Sequence, residues 1–364
     1  MASRKISGNA AVDSILGALE TKFGKTIAHK GPKYEAAVPI TTGSSSLDAA
    51  LWIGGIPKGR IIEIFGPESS GKTSLALRVM VNYIKQFKDK RPCVIIDMER
   101  SIMPSLITSM GGVAEDIVFC YPDSAEEALE TWRRLNGSGQ IGFCIIDSID
   151  ALQSENTLKK DIGESDMAGI AKMVGTAIRE VAKTSIEHDI TNILINQERD
   201  GMDPYGPKKV TPGGKAIRYY CSTRIQMMTQ KPSPTVEDAF LMRPKVVKNK
   251  CGPPHPEDVE IDFVYGIGPD PYTDLIAFTK QVGAVQFRGT SVVFNSPNGE
   301  EKLDCKATAG FLTLIKSDQK LFDKIQQRAF VLFRRKSAPE VKVEVEADAP
   351  PSDEELESEV VDGA

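Results

Sequence analysis

Four short apolar runs, Ile61 to Phe65, Cys93 to Ile96, Phe143 to Ile146 and Asn192 to Ile195, alternate with stretches of helical period through the middle of the chain. Apolar runs of this length without polar alternation suit strands buried on both faces, as in a parallel sheet covered by helices. Each run gives way to a polar or glycine-rich segment, and in open α/β sheets ligands sit beyond those carboxyl ends. Three further extended runs, Arg224 to Met228, Lys245 to Val247 and Val259 to Tyr265, are expected to widen the same sheet. Near the start, Val12, Ile15, Leu16, Leu19 and Phe23 recur at the 3.6-residue period, with Gly24, Gly31 and Pro32 following. A helix this short cannot cover its own apolar stripe, so it docks on its own body or on a neighbouring subunit, two alternatives of equal weight. Around Pro269 to Pro271 the apolar density drops, and Thr273 to Phe333 reads as a small separate domain. The last stretch, APPSDEELESEVVDGA, is too poor in apolar residues to pack and is expected to be disordered.

Composition narrows the classes. With 364 residues, 41% hydrophobic and 26% charged, the chain can fold on its own as a globular protein. It has no apolar run of about eighteen residues, and MASRKISGNA lacks the apolar stretch of a secretory leader, so a cytoplasmic protein without a membrane partner is expected. Cys93, Cys120, Cys144, Cys221, Cys251 and Cys305 show no paired CxxC spacing, which argues against a zinc site or a disulfide framework. The net charge of −5 is unevenly placed: ten acidic residues and one lysine between Ser337 and Ala364 sum to −9, leaving +4 on residues 1–336. A body that binds nucleic acid is therefore compatible with an acidic total.

The strongest local signal is GPESSGKT, comprising Gly66, Pro67, Glu68, Ser69, Ser70, Gly71, Lys72 and Thr73, set between the run IIEIF and the helical stretch SLALRVMVNYIKQF. That is the phosphate-binding P-loop in its strand-loop-helix context. Glycines at 66 and 71 let backbone N–H groups turn inward around phosphate oxygens, and the next helix aims its positive end at the same anion. Lys72 is expected to hold the β- and γ-phosphates of ATP, and Thr73 to offer its hydroxyl to Mg²⁺. Asp147, the first polar residue after FCII, supplies a second metal anchor; alone it would read as a helix cap. Glu99 and Asp97 both lie where the chain leaves the sheet after CVII, and either could polarise an attacking water. Spacing does not choose between them.

At this point the residues carry a longer likeness. Across nearly all of Gly43 to Gly266 the chain resembles the bacterial RecA recombinase family, in TGSSSLDAAL, GGIPKGRIIEIFGPESSGKT, IIDMER, PDSAEEALE, IIDSIDAL, IGESDMAGIAKM, INQERDGMDPYG, GGKAIRYY and VVKNK. The resemblance implies a RecA-type α/β P-loop ATPase core over 38–269, a mostly parallel sheet flanked by helices. An N-terminal oligomerisation helix within 1–37, a small α+β C-terminal domain over 270–336 and a disordered acidic tail over 337–364 complete it. It favours Glu99 over Asp97 as the catalytic glutamate, and makes Gln197 the sensor of the γ-phosphate. Two loops, about 155–167 and 198–212, would hold DNA. Met167, Lys172 and Arg179 follow from the first. Arg199, Met202, Tyr205, Lys208 and Lys209 come from the second, with Gly213, Gly214 and Lys215 just beyond. Cations for phosphates and an aromatic or methionine wedge for bases are what single-strand binding requires. Lys248 and Lys250 would reach a neighbour's ATP in trans, as an arginine finger does, and Arg243 and Lys245 would meet a second, duplex DNA.

The chain departs from the family's pattern at four places. Met103 and Leu106 stand where an aspartate and a tyrosine would face the adenine, Arg100 replaces a histidine, and Glu198 puts a negative charge at the start of the second loop. The function implied is an ATP-dependent recombinase that filaments on single-stranded DNA and exchanges strands with a homologous duplex in recombination and repair. Single-strand-binding and mediator proteins are the further partners implied. The alternatives are a hexameric helicase or motor built on the same core, and a DNA-coating mediator without turnover.

Overall fold

The computed structural model describes residues 7–28, 37–158, 167–200, 209–228, 231–253 and 259–337. The four apolar runs become neighbours in a seven-stranded sheet ordered Pro244–Asn249, Thr223–Met227, Ile61–Gly66, Thr191–Gln197, Phe143–Asp147, Cys93–Asp97, Ile117–Cys120. Every adjacent pair is parallel except the first, where Pro244–Asn249 runs antiparallel to Thr223–Met227. Side chains alternate between two cores, as the two-residue period requires. Ile62, Ile64, Ile95, Ile145 and Ile193 pack under the helix Lys72–Phe87 through Leu75, Val79 and Met80. Ile61, Val94, Ile96, Ile146 and Leu194 pack under Ala125–Ser138, Met167–His188 and Gly214–Tyr220 on the opposite face. A strand covered on both faces has no position for an exposed polar group, which is why these runs read as continuous hydrophobic stretches.

One buried side chain fixes how the second layer sits. Trp132 is fully enclosed, and its indole N–H donates to Asn192 Oδ1 at 2.7 Å. The Asn192 amide in turn donates to Asn136 Oδ1 and to Ser185 Oγ, each at 2.9 Å. A tryptophan carries a polar tip, and here strand and helices share its satisfaction. Truncating it to alanine would cost about 3–5 kcal/mol in lost burial and cavity formation.

Two elements differ from expectation. Val259 to Tyr265 does not widen the main sheet: its strand, Ile261–Val264, pairs antiparallel with Ala239–Met242 in a separate four-stranded sheet with Lys231–Pro232 and Gly268–Pro269. The physical reason is that Phe263 stacks on Phe240 with ring centroids 5.1 Å apart, and both close the core above the Lys72–Phe87 helix. The edge strand Ile117–Cys120 was not anticipated, because only Ile117 in it is buried.

Beyond Asp270, which caps the helix Pro271–Val282, a three-stranded meander (Val285–Arg288, Ser291–Ser296, Gly299–Lys306) packs with Ala307–Ser317 and Gln319–Ser337 around Leu275, Phe294, Phe311 and Ile325. Asp274 ties this unit to the start of the body, accepting from Ser44 Oγ and Ser46 N at 3.1 Å each. The helix Ala10–Phe23, capped by Asn9, leaves Val12, Ile15 and Phe23 exposed at 42, 61 and 57%. No described helix is long and apolar enough to cross a membrane.

Candidate functional site

The parallel register brings four separated positions to one edge of the sheet. Cys93–Asp97 and Phe143–Asp147 align so that Asp97 stands opposite Asp147. Ile61–Gly66 and Thr191–Gln197 align so that Gly66 stands opposite Gln197. The loop after Gly66 turns into the Lys72–Phe87 helix through Gly71, at φ 85°. Gly66 itself sits at φ 154°, and an added Cβ would come within 2.3 Å of the Met227 carbonyl oxygen, so only glycine fits. Ser70 Oγ and Lys72 Nζ both donate to the Pro67 carbonyl at 2.7 Å, which folds the loop over its own centre. Pro67 is half-buried, and Glu68 and Ser69 point outward.

Thr73 and Asp147 meet directly: the threonine hydroxyl donates to Asp147 Oδ2 at 2.7 Å. Burial pushes the Asp147 carboxyl up to about 7, against the pull of that hydrogen bond, and Glu99 and Asp97 push the same way. Burial also lowers the Lys72 ammonium, while Asp147 and Glu99 oppose it. The pocket thus holds a carboxylate and an amine with little water to stabilise either. Among the described residues no group of three or more His, Cys, Asp or Glu could hold a metal. A hydroxyl beside a carboxylate instead suits Mg²⁺, which takes few protein oxygens and completes its shell with water and phosphate.

The structure distinguishes the two acids that spacing left open. Asp97 is fully buried, and its carboxylate accepts from Ser101 N at 3.4 Å and Ile102 N at 3.2 Å, so it shapes the turn after its strand. Glu99 is exposed, and its Oε1 accepts from Ser148 Oγ at 2.6 Å, leaving the rest of the carboxylate open to solvent. Residues 147–150 each make a different connection. Asp147 meets Thr73, Ser148 meets Glu99, Ile149 N donates to Ile195 O at 2.9 Å, and Asp150 meets Arg199.

Beside the loop lies a cavity of about 430 Å³ walled by Lys72, Thr73, Leu106, Phe240, Phe263 and Tyr265. Phe240 and Tyr265 have ring centroids 5.0 Å apart, and Tyr265 is 64% exposed. Sequence reasoning missed this aromatic wall, because Phe240 and Tyr265 meet only through the antiparallel pairing of their strands. Leu106 lines the cavity, whereas Met103 is 69% exposed and lies outside its lining.

The remaining positions lie away from the loop. Lys172 and Arg179 are exposed, two turns apart on one face of Met167–His188. Met167 opens that helix, and its side chain lies outside the described residues, as do Met202, Tyr205 and Lys208. Arg199 begins a short ladder, Arg199–Asp200 against Lys209–Val210, and pairs with Asp150. Glu198 Oε1 accepts from Gln226 Nε2 at 2.8 Å, so its charge turns toward the sheet.

Gly213 and Gly214 have φ of 84° and 78°; a Cβ on the first would meet Ile217 at 2.4 Å, and on the second Ala171 at 3.1 Å. The positive φ at both positions and the crowding beside them favour glycine without any phosphate contact, and Lys215 is exposed just after them. Arg243 stands 3.2 Å from Glu260, and Lys245 lies opposite Gln226 in the edge pairing. Lys248 and Lys250 both donate to the Tyr219 carbonyl, at 3.1 and 2.9 Å, and Lys248 also to that of Arg218. In the single chain these amines cap the C-terminal end of Gly214–Tyr220, where its dipole favours cations.

Comparison with known proteins reports the same region. A family model described as the RecA N-terminal domain matches residues 10–270. The chain is 35% identical over 323 residues to Protein RecA of Chloroherpeton thalassium, covering 87% of each protein. It is 34% identical over 325 residues to Protein RecA of Wolinella succinogenes, covering 87% of this chain and 90% of that one. With Protein RecA of Thermus thermophilus it shares 34% identity over 291 residues, 78% of this chain and 84% of the relative.

Proposed function

The chain belongs to the RecA family, and on that footing we propose which of its residues carry the family's chemistry. It is a recombinase of DNA recombination and repair, a DNA-dependent ATPase that binds nucleotide and DNA and assembles with copies of itself. The observation that carries the residue assignment is the convergence of Lys72, Thr73, Asp147, Glu99 and Gln197 on one sheet edge through the two register pairs and the Thr73 and Ser148 hydrogen bonds.

In this reading the backbone of Gly66 to Thr73 cradles the phosphates of ATP and Lys72 balances their charge. Thr73 and Asp147 would hold Mg²⁺, which supplies further neutralisation of phosphate oxygens. Glu99, oriented by Ser148, accepts the proton of the attacking water; Asp97, spent on the turn, does not. The base rests in the cavity walled by Leu106, Phe240 and Tyr265. With no aspartate at position 103, stacking and apolar contact outweigh hydrogen-bond selection there. Gln197 is next to the P-loop in register and only two residues ahead of Arg199, so it links phosphate to the second loop. Lys172, Arg179, Arg199, Lys215, Arg243 and Lys245 contact DNA backbone, while Watson-Crick pairing selects sequence.

Assembly is proposed to be head to tail within a helical filament. The uncovered stripe of Ala10–Phe23 supports its docking on a neighbour, and Lys248 and Lys250, on an edge strand, would act across the same seam. Strand exchange between homologous single-stranded and duplex DNA, with and without ATP, tests the reading as a whole. Lys72→Ala is expected to abolish nucleotide binding and exchange together; unchanged DNA-dependent turnover in that variant would refute the site.

A further inference from the structure

The segment that carries Asp147 also holds an arginine of the second loop, and the pair is arranged as a latch. Arg199 Nη2 donates to Asp150 Oδ2 at 2.7 Å, and Arg199 Nε stands 2.7 Å from Asp150 Oδ1, off the angle of a second hydrogen bond. The carboxylate is the sheltered partner: its side chain is 10% exposed, against 52% for the arginine. A nearly buried carboxylate cannot be left without a counter-charge cheaply, so this pair is firmer than an ion pair on open surface. The guanidinium, half in solvent, remains within reach of a competing anion. Its planar fork fits a phosphate as well as it fits a carboxylate.

Position gives the pair its consequence. Arg199 is the first residue of the ladder Arg199–Asp200 against Lys209–Val210, which joins the two described ends of the second loop. Asp150 lies three residues past Asp147, and between them Ser148 holds Glu99 and Ile149 holds the strand that ends in Gln197. The arginine is therefore anchored to the stretch of chain that lines the phosphate site, by a side chain that no phosphate chemistry requires.

We propose that Asp150 is a positioning residue that sequesters Arg199, and that the phosphodiester backbone of single-stranded DNA must displace this carboxylate before the second loop can grip. The proposal rests on the assignment of Arg199 to DNA contact. Without nucleotide, Asp150 suppresses DNA binding by withholding one cation. Asp150→Asn keeps the shape, removes the charge and frees the arginine.

The test uses the full-length protein and a fluorescein-labelled oligothymidine, with binding read by anisotropy across a salt series in the absence of nucleotide. Asp150→Asn is expected to tighten binding about tenfold, the size of one charge-assisted contact. It should also steepen the dependence of log K on log salt by about 0.7, the increment for one more phosphate neutralised on a single strand. Asp150→Ala, run alongside, should do the same. A merely structural role for Asp150 would not move the slope. Arg199→Ala should weaken binding once ATP is present, and without nucleotide Asp150→Asn added to it should gain nothing. If Asp150→Asn changes nothing while Arg199→Ala weakens binding, the latch is wrong and the DNA contact stands. An equal gain with or without Arg199 would reduce the effect to general charge and overturn the latch. If Arg199→Ala binds as well as the parent when ATP is present, the DNA assignment of Arg199 fails and the latch with it.

Discussion

Replacing Arg224 by methionine tests how the sheet under the P-loop tolerates charge. Glu63, in the middle of the Ile61–Gly66 strand, is fully buried, and its Oε2 takes a short ion pair from Arg224 Nε, whose side chain is 13% exposed. Asn196 Nδ2 donates to the other oxygen at 3.0 Å, and the Arg224 guanidinium lies 4.4 Å from the centroid of Phe65. Methionine keeps most of the arginine stem but leaves the carboxylate with only an amide. Breaking a buried pair on one side costs about 3–5 kcal/mol; the partial exposure of Arg224 argues for the lower end, about 3 kcal/mol. Urea unfolding followed by fluorescence of the buried Trp132 should then show a midpoint lower by roughly 1 M, for a slope of about 3 kcal/mol per molar. Adding Glu63→Gln should recover most of the loss, since no stranded charge remains. A loss below about 1 kcal/mol in Arg224→Met alone, or a double variant no better than the single, would refute the reasoning.

Three further outcomes follow from other parts of the structure. Burial raises Asp48 to about 7 and Asp274 to about 6, above the unfolded value near 3.9, so their stabilising contribution is complete below about pH 4 and is lost as pH rises through those folded values. Asp48→Asn should accordingly be more stable than the parent at pH 8, with the gap closing by pH 5; melting curves of equal pH slope in the two proteins would contradict this. Glu99→Gln should keep ATP binding and lower DNA-stimulated turnover by at least about a hundredfold, the scale of a lost general base; turnover within a few-fold of the parent would exclude Glu99 as the base. Lys248→Ala should bind ATP normally yet lose DNA-stimulated hydrolysis, and full activity would remove the proposed action across the seam.

The parts of this protein legible in its sequence are those carried by contiguous residues. Gly66 to Thr73 announces its loop because each backbone turn and side chain is local, and the four central strands announce themselves because burial on both faces leaves them hardly any solvent-exposed position. What depends on pairing was not legible. The extended run Val259 to Tyr265 marked a strand but pointed to the wrong sheet, and Phe240 reaches Phe263 only by antiparallel register. Ile117–Cys120 escaped because an edge strand with Val118 47% exposed lacks the hydrophobic density of its neighbours. Spacing alone left Asp97 and Glu99 equivalent and only the resemblance favoured Glu99; the hydrogen bonds that occupy Asp97 lie in a turn that spacing does not reveal. Asp150 and Arg199, 49 positions apart, gave no sign of each other.

The stretch 147–150 also constrains what mutation can do to this molecule. Four consecutive side chains or amides answer to four different parts of the chain, so inserting or deleting one residue there would exchange every partner at once: an isoleucine would face Thr73 or an alanine would face Arg199. A single substitution in that stretch disturbs one connection and leaves the other three in place, but its length cannot drift, and folded variants recovered from random libraries should change letters there without ever changing the count.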